Sequence, residues 1–170
     1  MARSFWTPLN RLKSKRKRKI IHKYWMCDWT FEGKPVDFES TAEYFGFVYS
    51  ITNRLTGKKY IGKKKLKFTR SRKVKDSKRR VRVVKESDWK EYYGSSKELA
   101  KDIHKHGKEC FDREILRWCN SAGECSYWEL WYQMTNHVLL NPANFYNNYV
   151  GARIHRKHLM KKYLDEIEET

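Results

Sequence analysis

The commonest side chains in this sequence that can do chemistry are lysine and arginine. Among 170 residues there are 38 lysines and arginines but only 20 aspartates and glutamates, a formal net charge of +18 at pH 7. Self-repulsion of this size opposes compaction, and a bound polyanion relieves it. Lysine and arginine displace the counterions condensed on phosphates, so the composition predicts a nucleic-acid partner. The rival is an anionic membrane, which the sequence disfavours because it shows no basic amphipathic helix with an uninterrupted apolar face.

Two segments concentrate the positive charge. The first is N-terminal, where residues 1–27 contain no acid, and the second runs from Lys58 to Lys85 with fifteen basic residues and one acid, Asp76. Such blocks are either solvated surface or, as we favour for the N-terminal arm, a surface that follows the phosphate backbone. The predicted nucleic-acid contacts are Lys15, Arg16, Lys17, Arg18, Lys63, Lys64, Arg72, Arg79, Arg80, Arg153 and Arg156.

The cysteines and histidines do not form a recognisable metal motif. A zinc site from Cys119, Cys125 and a distant histidine stays open, although this spacing is not typical of zinc. His155 and His158 lie three apart in a basic stretch, where phosphate contact is the favoured interpretation. The four cysteines are interpreted as reduced thiols. Because the sequence also shows no transmembrane-length apolar run and no signal-peptide pattern, we expect a cytoplasmic protein without membrane contact.

The first elements that must position these side chains form a hairpin and a helix. Tyr44 to Ile51 is rich in aromatic and β-branched residues, turn residues follow at 53–57, and a strand pattern resumes at 58–62. Ser95 begins a capping-box pattern for a helix that ends at Gly107. The basic residues 63–85 are ambiguous, with a first part that could be helical and a later part that leans toward strand or loop.

The second half of the chain predicts a strand and two helices. Phe111 to Cys119 has the pattern of a strand, and Ser121 to Leu140 has apolar residues at helical spacing that predict one broad buried stripe. If that helix began instead at Ser126, Glu129 would be a capping residue. A last helix is predicted in the basic stretch from Arg153 to Lys162.

One spacing carries a family resemblance. Gly46-Phe47-Val48-Tyr49, ten intervening residues and then Tyr60-Ile61-Gly62 resemble the two signature strands of GIY-YIG nucleases. Further elements follow in the family's order. These are Arg70, a helix and third strand over residues 95–119, Glu129, and the pair Tyr146-Asn147.

The sequence also departs from the family pattern at two places. Phe47 stands where the first motif has glycine, and residues 71–90 look like an insertion. The family places its arginine on a helix after the second strand, where Arg70 falls. Because of the insertion, Arg72 is a credible substitute.

The resemblance implies an α+β fold with a small three-stranded antiparallel sheet flanked by helices. It divides the chain into a basic and aromatic extension at 1–43, a nuclease domain at 44–150 with a basic insertion at about 71–90, and a basic helix with an acidic tail at 151–170. The resemblance covers roughly residues 44–150, so the two terminal segments lie outside it.

The implied activity is metal-dependent hydrolysis of DNA by an endonuclease, phage-encoded or of the homing type. In this interpretation Tyr49 is the general base, although a free phenol with a pKa near 10 needs help from nearby cations. Glu129 holds one Mg²⁺ or Mn²⁺, for which a single carboxylate is sufficient. The remaining implied site residues are Tyr60, which orients the water or Tyr49, Arg70, which pairs with phosphate oxygens, and Asn147.

Two alternatives remain open at this point. One is a DNA-binding module of the same fold that has lost catalysis, and the other is a basic structural RNA-binding protein. The acid at Glu129 argues against a pure binder, since a surface that only binds phosphate has no need of it. A lone nuclease site cuts one strand at a time, so a double-strand break would require sequential nicks or a transient dimer on DNA.

Overall fold

The computed structural model describes residues 29–37, 39–73, 80–156 and 159. Predictions for the N-terminal arm, including Lys15, Arg16, Lys17 and Arg18, and for Arg79 fall outside these residues. The strands are β1 (Thr30–Phe31), β2 (Lys34–Pro35), β3 (Gly46–Asn53), β4 (Lys59–Lys65), β5 (Lys67–Lys73), β6 (Arg80–Glu86) and β7 (Phe111–Cys119). The helices are α1 (Lys97–His106) and α2 (Ala122–Thr135), with 3-10 turns at Glu39–Glu43, Trp89–Glu91 and Lys108–Cys110.

The main sheet has five strands in the order β2-β1-β7-β3-β4. The predicted three antiparallel strands are its β7-β3-β4 part, in which β3 pairs with both neighbours. The predicted sheet size is wrong, because β1 joins β7 in parallel and β2 joins β1, which makes the sheet mixed. Two-residue strands are too short to show the alternation by which a strand is recognised in sequence.

The β3–β4 hairpin confirms the predicted turn chemistry. The Asn53 side chain accepts a hydrogen bond from the backbone N–H of Leu55 at 2.9 Å, and the Asn53 N–H donates to the carbonyl of Lys58 at 2.9 Å. Gly57 supplies the positive φ of +74° that closes the turn. The resulting register sets Tyr49 opposite Gly62.

The helices cover opposite faces of the sheet. On one face the β3 residues Phe47, Tyr49 and Ile51 pack in a cluster that includes Leu99 of α1. On the other face Val48 packs in a second cluster with Cys125 of α2, as alternation along a strand requires. Each fully buried side chain of this size stabilises the fold by about 1.5–3 kcal/mol.

Residues 67–86 fold as a second, two-stranded sheet of β5 and β6. The possibility that the first part of the basic residues 63–85 is helical is therefore wrong, because Lys59–Lys65 and Lys67–Lys73 are strands. All the residues of β5 and β6 are exposed, so no apolar stripe of helical period marks the segment. Its strand character shows only in the alternating valines Val81 and Val83.

The helix boundaries correct three further predictions. The N-cap of α1 is Ser96 and not Ser95, whereas Gly107 caps the other end as predicted. α2 ends at Thr135, and the predicted stripe is not fully buried, since Trp131 and Leu139 are 45% and 50% exposed. Residues 153–155 are not helical, and the rest of the predicted last helix lies mostly outside the part of the chain that is described.

β7 has the predicted bounds. No helix in the described ranges is long and apolar enough to cross a membrane.

Candidate active site

The candidate site lies at β4, the outer strand of the five-stranded sheet, where a coil segment takes the place of a neighbouring strand. The Lys59 N–H donates to the carbonyl of Asn144, and the Tyr146 N–H donates to the carbonyl of Lys59, both at 2.8 Å. The Asn147 side chain then makes two hydrogen bonds with the backbone of Ile61. Its Oδ1 accepts from the Ile61 N–H at 3.0 Å, and its Nδ2 donates to the Ile61 carbonyl at 2.8 Å. Asn147 thus satisfies backbone groups that an edge strand leaves open.

A cavity of about 400 Å³ opens beside this edge. Its walls come from β4, from the start of α1, from α2 and from the chain after Phe145. The lining includes Tyr60, Ser95, Glu129, Gln133 and Asn147. Three of the five residues that the family resemblance singles out are therefore gathered around one cavity.

Tyr49 and Tyr60 lie side by side on adjacent strands, with ring centroids 6.1 Å apart. A Cβ atom on Gly62 would lie 2.7 Å from the Tyr49 hydroxyl oxygen and 2.9 Å from Cε1 of Tyr60. Glycine is needed at this position because the two rings fill the space of a side chain. The Tyr60 hydroxyl is 2.9 Å from Oγ of Ser95. Ser95 is available for this contact because Ser96 caps α1 in its place.

Tyr49 is 1% exposed, and its environment opposes ionisation. Burial raises the pKa of the Tyr49 phenol well above its ordinary value, and the neighbouring Tyr60 and Tyr92, a hydrogen bond with Tyr92 and the charge of Glu129 raise it further. Of the two tyrosines only Tyr60 lines the cavity. Within the protein alone, Tyr49 is therefore a neutral hydrogen-bonding group at neutral pH.

Glu129 lies inside α2, because the N-cap of this helix is Ser121 and not Ser126. The Ser121 Oγ accepts from the N–H of Glu124 at 3.1 Å. Glu129 Oε2 is 2.9 Å from Nζ of Lys63, and its side chain is 16% exposed. One turn further along α2, Gln133 Nε2 donates to the Ile61 carbonyl at 3.0 Å, so the helix face that carries Glu129 is fixed to β4.

The carboxylate of Glu129 fits a hard divalent cation. Mg²⁺ takes oxygen ligands and keeps several waters, so one protein carboxylate beside an open cavity suits it. In the described ranges no three His, Cys, Asp or Glu side chains come together as in an all-protein metal cage. Cys119 and Cys125 are neighbours in the core, where a hydrogen bond with Cys125 and burial raise the pKa of the Cys119 thiol.

The cations on β4 beside the cavity are lysines. Besides Lys63, Lys64 directs its ammonium over the Tyr92 ring, 3.4 Å from the centroid, and pairs with Asp88 at 2.8 Å. Arg70 and Arg72 lie instead on exposed β5 and do not line the cavity. The expectation that Arg70 sits on a helix is wrong, because that part of the chain is a strand. Of the other predicted nucleic-acid contacts, Arg80, Arg153 and Arg156 are exposed.

A buried arginine that was not predicted from the sequence also shapes the site. Arg113 on β7 is 3% exposed and donates to the carbonyls of Lys90 at 2.7 Å and Tyr92 at 3.2 Å. Its guanidinium also lies 4.8 Å from the Trp29 ring centroid and 4.4 Å from that of Tyr93. Arg113 thereby fixes the loop that brings Tyr92 to Tyr49. Its place between the inward-facing Phe111 and Ile115 in the alternation of β7 was the available signal.

The start of α1 adds positive potential to the cavity. Ser96 Oγ accepts from the Leu99 N–H at 3.4 Å and donates to the Tyr146 carbonyl at 3.1 Å, which ties the helix to the closing segment. Ser95, Ser96 and Lys97 all line the cavity. The first N–H groups of a helix and its dipole favour an anion at this end.

These features define an α+β domain with paired tyrosines, a helical glutamate and cations around one cavity. A family model described as "Putative endonuclease segE, GIY-YIG domain" matches residues 29–150, more than two thirds of the chain. The chain belongs to the GIY-YIG nuclease family. No curated protein and no solved structure matches it.

Proposed function

We propose that this protein is a DNA endonuclease that hydrolyses phosphodiester bonds at the cavity beside β4. The observation that carries the proposal is the placement of Glu129, Tyr60 and the α1 N-terminus around one cavity in a chain of a nuclease family. A scissile phosphate needs positive potential and a place for water, and the cavity offers both. We propose DNA as the partner of the protein, because the excess of lysine and arginine favours binding to a polyanion.

Glu129 is the proposed ligand of one divalent cation, Mg²⁺ or Mn²⁺. When bound, such an ion polarises the scissile phosphate and lowers the pKa of a bound water. Lys63 neutralises the Glu129 carboxylate in the protein alone, and with a cation held by Glu129 its ammonium would be free to pair with a phosphate oxygen. Lys63, Lys64 and Lys97 then supply positive charge beside the reacting group, since the arginines on β5 do not line the cavity.

The tyrosines take different proposed roles. Tyr60 lines the cavity, so its hydroxyl, held by Ser95, orients the attacking water or a phosphate oxygen. Tyr49 is the proposed general base: its oxygen accepts a proton from the attacking water while its own proton moves to Tyr92 along the Tyr49–Tyr92 hydrogen bond, and Tyr92 releases its proton to solvent. Since the charge of Glu129 helps to raise the pKa of Tyr49, neutralising that carboxylate with a cation works in the opposite direction. Asn147 and Gln133 act as positioning residues because their amides hold the backbone of Ile61.

A second candidate function is a DNA-binding module of the same fold without catalysis. The ion pair of Lys63 with Glu129 and the neutral state of Tyr49 favour it, since both suit a resting surface. We also propose that the protein is encoded by a phage or is an endonuclease of the homing type, since the chain belongs to the GIY-YIG nuclease family.

A single site cuts one strand, so we propose that double-strand breaks arise from sequential nicks or a transient dimer on DNA.

The test is nicking of supercoiled plasmid by the purified chain with Mg²⁺ and, separately, Mn²⁺. We expect Glu129→Gln to lower the nicking rate by at least about 100-fold, comparable to the loss of one group that stabilises charge in a transition state. The exposed Glu109→Gln is the matched control and should keep the wild-type rate. Equal nicking by wild type and Glu129→Gln would remove Glu129 from the mechanism. Salt-sensitive DNA binding with no cutting under either ion would establish the binding module instead.

A further inference from the structure

The sheet of β5 and β6, which we call the ribbon, is unlike the rest of the protein. Every residue of both strands is exposed. Seven of these fourteen residues are lysine or arginine, and one, Glu86, is acidic. A two-stranded ribbon is at best marginally stable in water, so its form has to be supported from elsewhere.

In the part of the chain that the structure describes, the ribbon is held to the core at the end where β5 begins and β6 ends. Leu66, just before β5, is 2% exposed and its N–H donates to the carbonyl of Phe45 at 3.0 Å. Just after β6, the Ser87 N–H donates to the carbonyl of Leu66 at 2.9 Å. Trp89 completes this attachment, since it is 1% exposed and its indole N–H donates to Glu86 at 3.1 Å. The core thus holds the base, while both faces of the strands remain exposed to solvent.

The register gives the two faces different chemistry. Directly paired residues share a face, and the pairs Phe68–Lys85, Arg70–Val83 and Arg72–Val81 alternate with the rest. We call these six residues the arginine–valine face. Its three apolar side chains, Phe68, Val81 and Val83, are 39%, 47% and 46% exposed, so they offer apolar surface to a partner. The opposite face carries lysines, arginines and hydroxyl groups, with Val84 as its only large apolar residue.

We propose that the arginine–valine face enters the major groove of duplex DNA and reads base edges there. The major groove is about 12 Å wide and admits a two-stranded β-ribbon. Arginine forms bidentate hydrogen bonds with O6 and N7 of guanine, and apolar side chains contact the methyl group of thymine. Arg70 and Arg72 with Val81 and Val83 provide both kinds of contact on one surface. This inference rests on the proposed function, because it takes DNA as the partner.

The same features disfavour other nucleic acids as the partner. The major groove of an RNA duplex is too narrow and deep for side chains to read. Single strands are bound by aromatic platforms, and the face has one aromatic residue, Phe68. A protein partner would have to cover a surface with seven cations and a single acid. Duplex DNA is the partner whose charge and groove shape both match.

The test compares two double variants that remove the same charge from opposite faces. Arg70→Gln with Arg72→Gln alters the arginine–valine face, and Arg80→Gln with Arg82→Gln alters the other. Wild type and both variants are used to select preferred duplexes from a random pool in EDTA, where no divalent ion supports cleavage. The selected duplex is then made with 7-deazaguanine, which lacks the N7 acceptor in the major groove.

We expect 7-deazaguanine to weaken wild-type binding by about 10-fold or more, since a good bidentate contact is worth about 1–3 kcal/mol. The Arg70/Arg72 variant should bind the two duplexes equally. The Arg80/Arg82 variant should bind every duplex more weakly and still discriminate between them. Discrimination that survives in the Arg70/Arg72 variant, or is lost in the Arg80/Arg82 variant, would overturn the assignment of the face. A wild type that ignores 7-deazaguanine would overturn major-groove readout.

Failure of this inference is distinguishable from failure of the proposed function. A chain that discriminates duplexes but never cuts retains the ribbon assignment and loses the nuclease. A chain that cuts with Mg²⁺ but selects no preferred duplex retains the nuclease and loses the ribbon. Thermal unfolding of both variants separates loss of contact from loss of fold, and matching melting temperatures are expected.

Discussion

The site at β4 and the ribbon are both built around β-strands, yet they treat their polar groups in opposite ways. At β4 the backbone of Ile61 is held by the buried amides of Asn147 and Gln133. On the ribbon the side chains are exposed and strongly basic, and valines lie in the open. A polar group is held in one fixed position where the protein both buries it and satisfies its hydrogen bonds. The first region is therefore suited to fixed chemistry, and the second to a partner that completes it.

The difference also separates two kinds of arginine. Arg113 is buried, donates to two carbonyls and stacks near Trp29 and Tyr93, so its position is fixed by the core. Arg70 is exposed on the ribbon, where Phe68 is the one aromatic residue of β5 and β6. Positive charge thus serves two purposes in this molecule. One arginine holds a loop in place, and the other is presented to solvent.

The largest effect that tests this contrast should come from Asn147→Ala. Both Asn147 hydrogen bonds to Ile61 are buried, and losing the amide leaves the N–H of Ile61 without this partner. An unsatisfied buried group costs about 1–3 kcal/mol, so we expect a loss of about 3 kcal/mol for the pair. Urea denaturation measures it, with the exposed neighbour Asn148→Ala as control, which should change stability by less than about 0.5 kcal/mol. Equal losses in the two variants would show that the edge is not held by this amide.

A second test uses the buried phenol of Tyr49. Its pKa is raised in the folded protein, so the stability that follows from its neutral form is fully present below pH 10.0, the ordinary value. As the pH rises above that value the unfolded chain loses the proton first, and stability falls by up to about 1.4 kcal/mol per pH unit for this one group. Tyr49→Phe should remove that part of the alkaline slope.

The measurement is the free energy of unfolding of wild type and Tyr49→Phe between pH 7 and the alkaline range. Between pH 7 and 9 the two should differ by a constant of about 1 kcal/mol, the worth of the lost hydrogen bond with Tyr92. Above pH 10 the difference should shrink, because only wild type loses this contribution. Parallel curves throughout would show that the phenol is not shielded from solvent in the folded protein.

The same contrast explains what could be predicted from the sequence. The hairpin and β7 were accessible because turn residues and alternation are local patterns, whereas Tyr60 and Glu129 were singled out only by the family resemblance. Arg113 and the coil beside β4 were not accessible, since their hydrogen bonds join residues more than twenty positions apart. For the ribbon, the valines of β6 favoured a strand or a loop over the later part. β5 was missed because its exposed basic residues suit a helix equally well.

The smallest effect should come from the ribbon itself. Val81→Thr with Val83→Thr replaces two half-exposed methyl groups by hydroxyls and keeps β-branching, so strand propensity is nearly unchanged. If these valines contribute surface for a partner and not for the core, the free energy of unfolding should change by less than about 0.5 kcal/mol. Val48→Thr is the matched control, because Val48 is 0% exposed on β3 and the same exchange there buries a hydroxyl. Denaturation without DNA compares the two. A loss in the ribbon variant as large as that in the control would mean that the ribbon is packed against the core, and the contrast between the two regions would fail.

Unchanged stability of the ribbon variant together with weaker binding of thymine-containing duplexes would instead place the valines at the DNA, where an apolar side chain contacts the thymine methyl group.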